Sequence, residues 1–255
     1  MSNFWIFGDS FGMSNDITSY YHDMKKLYPA LPDKQDVIGS EWVKIVAESL
    51  GYQYNTQYNF SRHGTSADWY MMQCFKMLQN NSIRQGDFVL ITATAETRFH
   101  YSNDLSGKFS WDDPYQNDHL KPFRILGPDQ AFGQKNSILK MAPDCLYTYM
   151  SKYQDYTWLS HLHWMRHEFV KGYLDNLGID CFIVQGLACR HDELPKNKLG
   201  WGHHPDPLKL ILTSIEEYNI KHDEQYQMYQ LFKNHLDPKQ NEIYAEQILE
   251  YYNDQ

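Results

Sequence analysis

The sequence predicts a layered α/β domain built on a mainly parallel sheet, and three observations carry that expectation. Near-continuous apolar runs recur along the chain at Asn3–Phe7 (NFWIF), Phe88–Ala93 (FVLITA) and Asp180–Gln185 (DCFIVQ), which is how strands buried on both faces read. Segments with helical punctuation lie between them, and alternating strands and helices imply right-handed crossovers onto one sheet. The length of 255 residues suits one large α/β domain, residues 1–255, whose core needs neither disulfides nor a structural metal.

Each element has its own signal. After the first run comes Ser40-Glu-Trp-Val-Lys-Ile-Val-Ala-Glu-Ser-Leu-Gly51. There Ser40 can cap a helix, Val43, Val46, Ala47 and Leu50 share one face, and Gly51 ends it. Gln57–Phe60 (QYNF) is expected as a short second strand. A helix is expected from about Ser66 to Leu78, a long one over roughly Leu146–Leu177 stopped by Gly178, and a last one over about Pro238–Tyr252, with Pro238 in its first turn. On the long helix, Trp158, Leu162 and Met165 are expected to face the core.

Two stretches break the alternation. Tyr101–Asp144 is rich in Pro, Gly, Asp and Asn, and Cys189–Pro207 is polar and histidine-rich. Segments of that length between elements are usually functional or disordered. Both follow expected strands, so both are expected to rim the carboxyl edge, where open α/β sheets bind ligands. Trp111, Tyr115, Trp201 and His203 are the candidate substrate contacts there.

Composition removes several function classes. The net charge of −9, with no basic cluster longer than Lys25-Lys26, gives no phosphate-binding face, so nucleic acid is not an expected partner. No apolar run is long enough to span a membrane, and the start MSNFWIFGDS has no secretory pattern, so a cytoplasmic location is the default expectation. Cys74, Cys145, Cys181 and Cys189 form no C-x-x-C pair and no zinc spacing, and Cys181 is expected to be a buried thiol. Aromatic residues make up 16% of the chain. That content has two readings: core and surface tyrosine, or a ring-lined groove for a sugar.

The strongest chemical signal is Phe7-Gly8-Asp9-Ser10-Phe11-Gly12, directly after the first strand. A strand that ends in a sharp turn presents a hydroxyl at the sheet's carboxyl edge. A serine there needs a base to become a nucleophile and N–H donors to hold an oxyanion; the Ser10 N–H can be one of them. Further along stand Trp42 in the first helix, the run Asn59-Phe-Ser-Arg-His-Gly64-Thr-Ser66, and His235-Leu-Asp-Pro before the terminal helix.

In this order these segments resemble the SGNH/GDSL hydrolase superfamily. The resemblance implies a flavodoxin-like three-layer α/β/α sandwich, no cofactor and no metal. Gly-Asp-Ser corresponds to block I, with Ser10 as nucleophile. Asn59–Ser66 resembles block II, with the Gly64 N–H as an oxyanion donor, and His235 is the expected general base. Block III departs from the family. Where relatives show Gly-x-Asn-Asp, this chain has Thr94-Ala-Glu-Thr followed by Arg98, so Thr94 and Arg98 are the candidate side-chain donors. The family's acid normally stands three residues before the histidine, and that position is Phe232. Either a backbone carbonyl such as that of Phe232 orients the imidazole, making a Ser–His dyad, or Asp237 or Asp223 completes a triad.

Other clusters have simpler readings. His203-His204 with His191 reads as exposed loop histidines rather than a metal site. His161, His163 and His167 have poor ligand spacing along the helix, and Gly8-x-x-x-Gly12 lacks the Lys-Ser/Thr ending of a phosphate loop. The expected function is hydrolysis of an acyl ester on a small molecule or glycan. The alternative is a non-catalytic binding or structural protein that keeps the fold. The sequence does not specify an oligomeric state.

Overall fold

The computed structural model describes residues 2–9, 11–12, 42–61, 66–94, 98–102, 120–124, 156–185, 210, 236 and 238–254. Its elements in chain order are β1 (Phe4–Gly8), α1 (Trp42–Ser49), a single 3-10 turn (Thr56–Tyr58), α2 (Ala67–Gln79), β2 (Phe88–Ala93), β3 (Arg98–Ser102), β4 (Leu120–Arg124), α3 (Tyr156–Asn176), β5 (Asp180–Gln185) and α4 (Pro238–Asn253). The described residues make a mixed α/β fold. Its main sheet has the strand order β1-β2-β5, all parallel, with Gly8 beside Thr92 and Thr92 beside Val184. The carboxyl ends of all three strands therefore meet at one edge.

The sheet is apolar on both faces, as the continuous runs require. Phe4, Ile6, Phe88, Leu90, Phe182 and Val184 pack with Trp42, Val43 and Val46 of α1, with Tyr244 and Ile248 of α4, and with Phe11 and Leu236. The alternate residues Trp5, Phe7, Val89, Ile91, Cys181 and Ile183 pack with Trp69, Tyr70 and Cys74 of α2 and with Val170 and Leu174 of α3. Side-chain alternation along a strand sorts the two sets. Each fully buried large side chain contributes about 1.5–3 kcal/mol.

At the amino edge, buried Asp87 accepts hydrogen bonds from the Asn3 N–H (2.8 Å), Trp5 Nε1–H (3.0 Å) and the Arg84 N–H (3.0 Å). Three donors compensate the desolvation of one carboxylate. The same residue binds the start of β1 to the loop that leads into β2.

The structure corrects three expectations. First, Gln57–Phe60 is not a strand. Asn55 caps the 3-10 turn, accepting from the Gln57 N–H at 3.0 Å. Only Asn59 then bridges to Ile6, with the Phe60 N–H donating to the Ile6 carbonyl at 2.7 Å.

Second, Tyr101–Asp144 is not irregular throughout. Tyr101 and Ser102 belong to β3, which pairs antiparallel with β4 from Arg98↔Arg124 to Ser102↔Leu120. Pro122 is tolerated because a two-stranded sheet consists only of edges.

Third, α3 presents a different face. Trp158, Met165 and Phe169 are 54%, 53% and 67% exposed, whereas His163, His167, Val170 and Leu174 are buried. Residues 146–155 and the insert 189–207 lie outside the described residues.

Among the described residues, no helix is long and apolar enough to cross a membrane. Cys181 is buried as expected, and so is Cys74. Burial pushes the Cys74 thiol up to about 12 and raises that of Cys181 as well.

Candidate active site at the carboxyl edge of the sheet

The turn that carries Ser10 is built by its neighbours. β1 ends at Gly8, and Asp9 is fully buried. The Asp9 carbonyl accepts from the Gly12 N–H at 3.1 Å, closing a four-residue turn. The Asp9 carboxylate accepts from the Phe11 N–H at 3.0 Å, so this side chain stabilises the turn from inside. Ser10 occupies the turn's second position in sequence, and its own placement lies outside the described residues.

Two glycines let the turn sit tightly on its surroundings. A Cβ on Gly8 would lie 1.8 Å from Thr92 Oγ1 and 2.5 Å from the Thr92 carbonyl oxygen. A Cβ on Gly12 would lie 2.6 Å from Ser61 Oγ and 2.7 Å from Thr92 Oγ1. The Gly-x-x-x-Gly spacing is therefore a packing requirement, set by the end of β2 and by the segment after Asn59.

That segment is clamped to the turn. Asn59 Nδ2–H donates to the Gly12 carbonyl at 2.7 Å, and Asn59 Oδ1 accepts from the Ser61 N–H at 3.0 Å. Three residues beyond Ser61 stands Gly64, outside the described residues. Ser66 then caps α2, accepting from the Trp69 N–H at 3.4 Å. The chain thus runs from the clamp to a helix N-terminus, where backbone N–H groups favour negative charge.

A second set of bonds reaches the C-terminal segment. Trp42 Nε1–H donates to the Phe11 carbonyl at 2.9 Å. The Trp42 N–H donates to Asn241 Oδ1 at 3.1 Å, and Asn241 Nδ2–H donates to the Leu236 carbonyl at 3.2 Å. All of these groups are buried. Trp42 also meets Tyr244 edge-on at 5.0 Å between ring centroids, and Phe11, Trp42, Leu236 and Tyr244 share one apolar cluster. The residue that follows Ser10 and the residue that follows His235 are thereby joined through Trp42 and Asn241. His235 and Asp237 lie outside the described residues.

Thr94, just beyond β2, is fully buried. Its N–H donates to Tyr70 Oη at 3.4 Å, and Tyr70 Oη lies 2.7 Å from His167 Nε2. His167 Nδ1 lies 2.7 Å from the His163 carbonyl. Burial lowers the His167 pKa to about 4, against a smaller upward pull from the His163 carbonyl, and Arg166 lowers it further. The imidazole is therefore neutral near pH 7.

Arg98 opens β3, four residues beyond Thr94. Trp111, Tyr115, Trp201, His203 and Asp223 lie outside the described residues. No group of three or more metal-binding side chains occurs among the described residues.

Sequence reasoning missed Asp9, Asn59, Tyr70 and His167 as structural parts of this edge, and it left Trp42 and Asn241 without a role. Each signal was present but local reading could not use it. His163 and His167 stand four apart, on one helical face, and the His163 carbonyl and Tyr70 Oη meet the two ring nitrogens of His167. The bonds of Trp42 and Asn241 span 199 residues of sequence. Comparison of the chain with protein-family models, with curated proteins and with solved structures returns no match.

Proposed function

We propose that the chain is a serine ester hydrolase of the SGNH/GDSL type, with a three-layer α/β/α fold, Ser10 as nucleophile and His235 as general base. One observation carries the reading furthest. The turn around Ser10 sits at the carboxyl end of β1, and the Phe11–Trp42–Asn241–Leu236 hydrogen bonds tie it to the segment next to His235. A Ser–His pair needs two residues distant in sequence to be held together, and these bonds tie together the segments that carry them.

The reaction is acyl transfer in two steps. The Ser10 hydroxyl attacks the ester carbonyl as His235 takes its proton. The Ser10 and Gly64 N–H groups, with Thr94 or Arg98, hold the oxyanion. The tetrahedral intermediate collapses, His235 protonates the departing alcohol, and an acyl-serine remains. Water, deprotonated by His235, attacks that ester and releases the acid, and the proton returns to Ser10. Asp237, Asp223 or a backbone carbonyl orients His235. The substrate is an ester of a small molecule or an acetylated glycan.

The test is hydrolysis of short- and long-chain aryl esters and of acetylated sugars by the parent protein and by Ser10→Ala and His235→Ala. Activity abolished by both substitutions, with the fold kept, supports the reading. A parent protein inert toward every ester class favours the non-catalytic alternative, which the atypical Thr94–Arg98 and Phe232 positions support. Loss of activity in Asp237→Asn or Asp223→Asn identifies a triad carboxylate.

A further inference from the structure

The buried chain of hydrogen bonds beneath Thr94 has a fixed direction. A carbonyl can only accept, so His167 Nδ1 carries the proton that bonds the His163 carbonyl at 2.7 Å. The imidazole is neutral, and its Nε2 therefore presents a lone pair. Tyr70 Oη, 2.7 Å away, must then donate to it. With its proton committed, the Tyr70 oxygen turns its lone pairs toward the Thr94 N–H at 3.4 Å. Tyr70 and His167 are each fully buried, and so is Thr94.

The position of Tyr70 gives this chain a mechanical meaning. Tyr70 lies in the first turn of α2, and its N–H donates to the Ser66 carbonyl at 3.4 Å. Six residues before it in sequence stands Gly64. Thr94 follows the last residue of β2. The Tyr70 side chain thus connects the helix that begins after Gly64 with the strand end that carries Thr94. His167, from the middle of α3, holds the far end of that connection.

We propose that Tyr70, braced by His167, is a positioning residue that sets the separation of the Gly64 and Thr94 donor segments. The role rests on the ester-hydrolase reading given above. Donors must lie within a few tenths of an ångström of the place where the oxyanion forms, and misplacement costs rate rather than ground-state binding. In this role Tyr70 is not itself a catalytic group. It acts through the backbone on both sides of the site.

The experiment uses the full-length protein, aryl acetate as substrate, and Tyr70→Phe, His167→Gln and His167→Leu. Tyr70→Phe removes the acceptor of the Thr94 N–H and the donor to His167 at almost unchanged volume. The expected result is a fall in kcat of about 10- to 100-fold, less than the loss of a whole oxyanion donor, with KM changed by less than about threefold. His167→Gln offers an amide oxygen to the Tyr70 hydroxyl and an amide N–H to the His163 carbonyl, so it retains most of kcat. His167→Leu, which offers neither, behaves like Tyr70→Phe. Nitrogen NMR of the parent protein reads the His167 tautomer directly, and Nδ1–H with a bare Nε2 is expected.

Unchanged kcat in a folded Tyr70→Phe, or equal loss in His167→Gln and His167→Leu, overturns the positioning role while the hydrolase reading stands. An Nε2–H tautomer also overturns it. A parent protein without Ser10-dependent hydrolysis removes the hydrolase reading, and this role with it.

Discussion

Asn241→Ala tests the tie between the two ends of the chain. Asn241 is 1% exposed. Its side chain accepts from the Trp42 N–H at 3.1 Å and donates to the Leu236 carbonyl at 3.2 Å. Truncation leaves one buried N–H and one buried carbonyl without these bonds. Each such group costs about 1–3 kcal/mol, so the combined loss is about 2–6 kcal/mol. A domain in the middle or upper part of the ordinary range, about 5–15 kcal/mol, survives that loss.

Urea unfolding monitored by tryptophan fluorescence measures the loss, and ester hydrolysis is assayed on the same samples below the unfolding transition. Because Leu236 follows His235, the proposed general base, release of its carbonyl is also expected to lower kcat by about 100-fold or more, the scale of a contribution from general-base catalysis. Asn241→Asp separates the two bonds. It still accepts from the Trp42 N–H but offers the Leu236 carbonyl no donor. Asn241→Asp is therefore expected to lose activity like Asn241→Ala. An unfolding shift under about 1 kcal/mol for Asn241→Ala would refute the structural argument. Full activity in a destabilised but folded variant would refute the link from Leu236 to the proposed catalytic base.

Three further outcomes follow from the packing and electrostatics. His167 falls from its ordinary 6.5 to about 4 in the folded chain, so the unfolded chain binds the proton first as pH drops. Stability is complete above about 6.5 and falls by about 3 kcal/mol as pH goes to 4, a loss that urea titrations across this range will show in the parent and not in His167→Gln. Gly8→Ala places a methyl group against the Thr92 backbone, and low soluble yield or a loss of about 3 kcal/mol or more in unfolding free energy is expected. Phe169→Gln, on the exposed face of α3, is expected to stay within about 0.5 kcal/mol of the parent in the same assay; a large loss would mean that this face is covered in the folded protein.

The main strands and the starts of two helices were legible from local pattern alone. FWIFG, FVLITA and DCFIVQ are apolar along nearly their whole length, and only a strand covered on both sides satisfies such a run. Ser66 and Pro238 mark helix starts through backbone chemistry that acts within one turn, so position in the chain suffices. The Gly-Asp-Ser turn was legible for the same reason. Asp9 bonds its own neighbour two residues on, and Gly8 and Gly12 stand where no Cβ fits.

What local pattern could not decide was the pairing of distant polar groups. QYNF reads as a strand, yet Asn59 gives its side chain to the Gly12 carbonyl, and extended pairing stops after one bridge. On α3 the large apolar residues Trp158, Leu162 and Met165 read as the core face, yet Trp158 and Met165 are exposed and His163 and His167 are buried instead. Burying an imidazole costs free energy, which hydrogen bonds to its nitrogens offset. For His167 one partner is Tyr70, 97 residues away. The same holds for Trp42 and Asn241, 199 residues apart. Hydrophobic periodicity is a property of neighbours along the chain, whereas the satisfaction of a buried hydrogen bond depends on which segments the completed fold brings together.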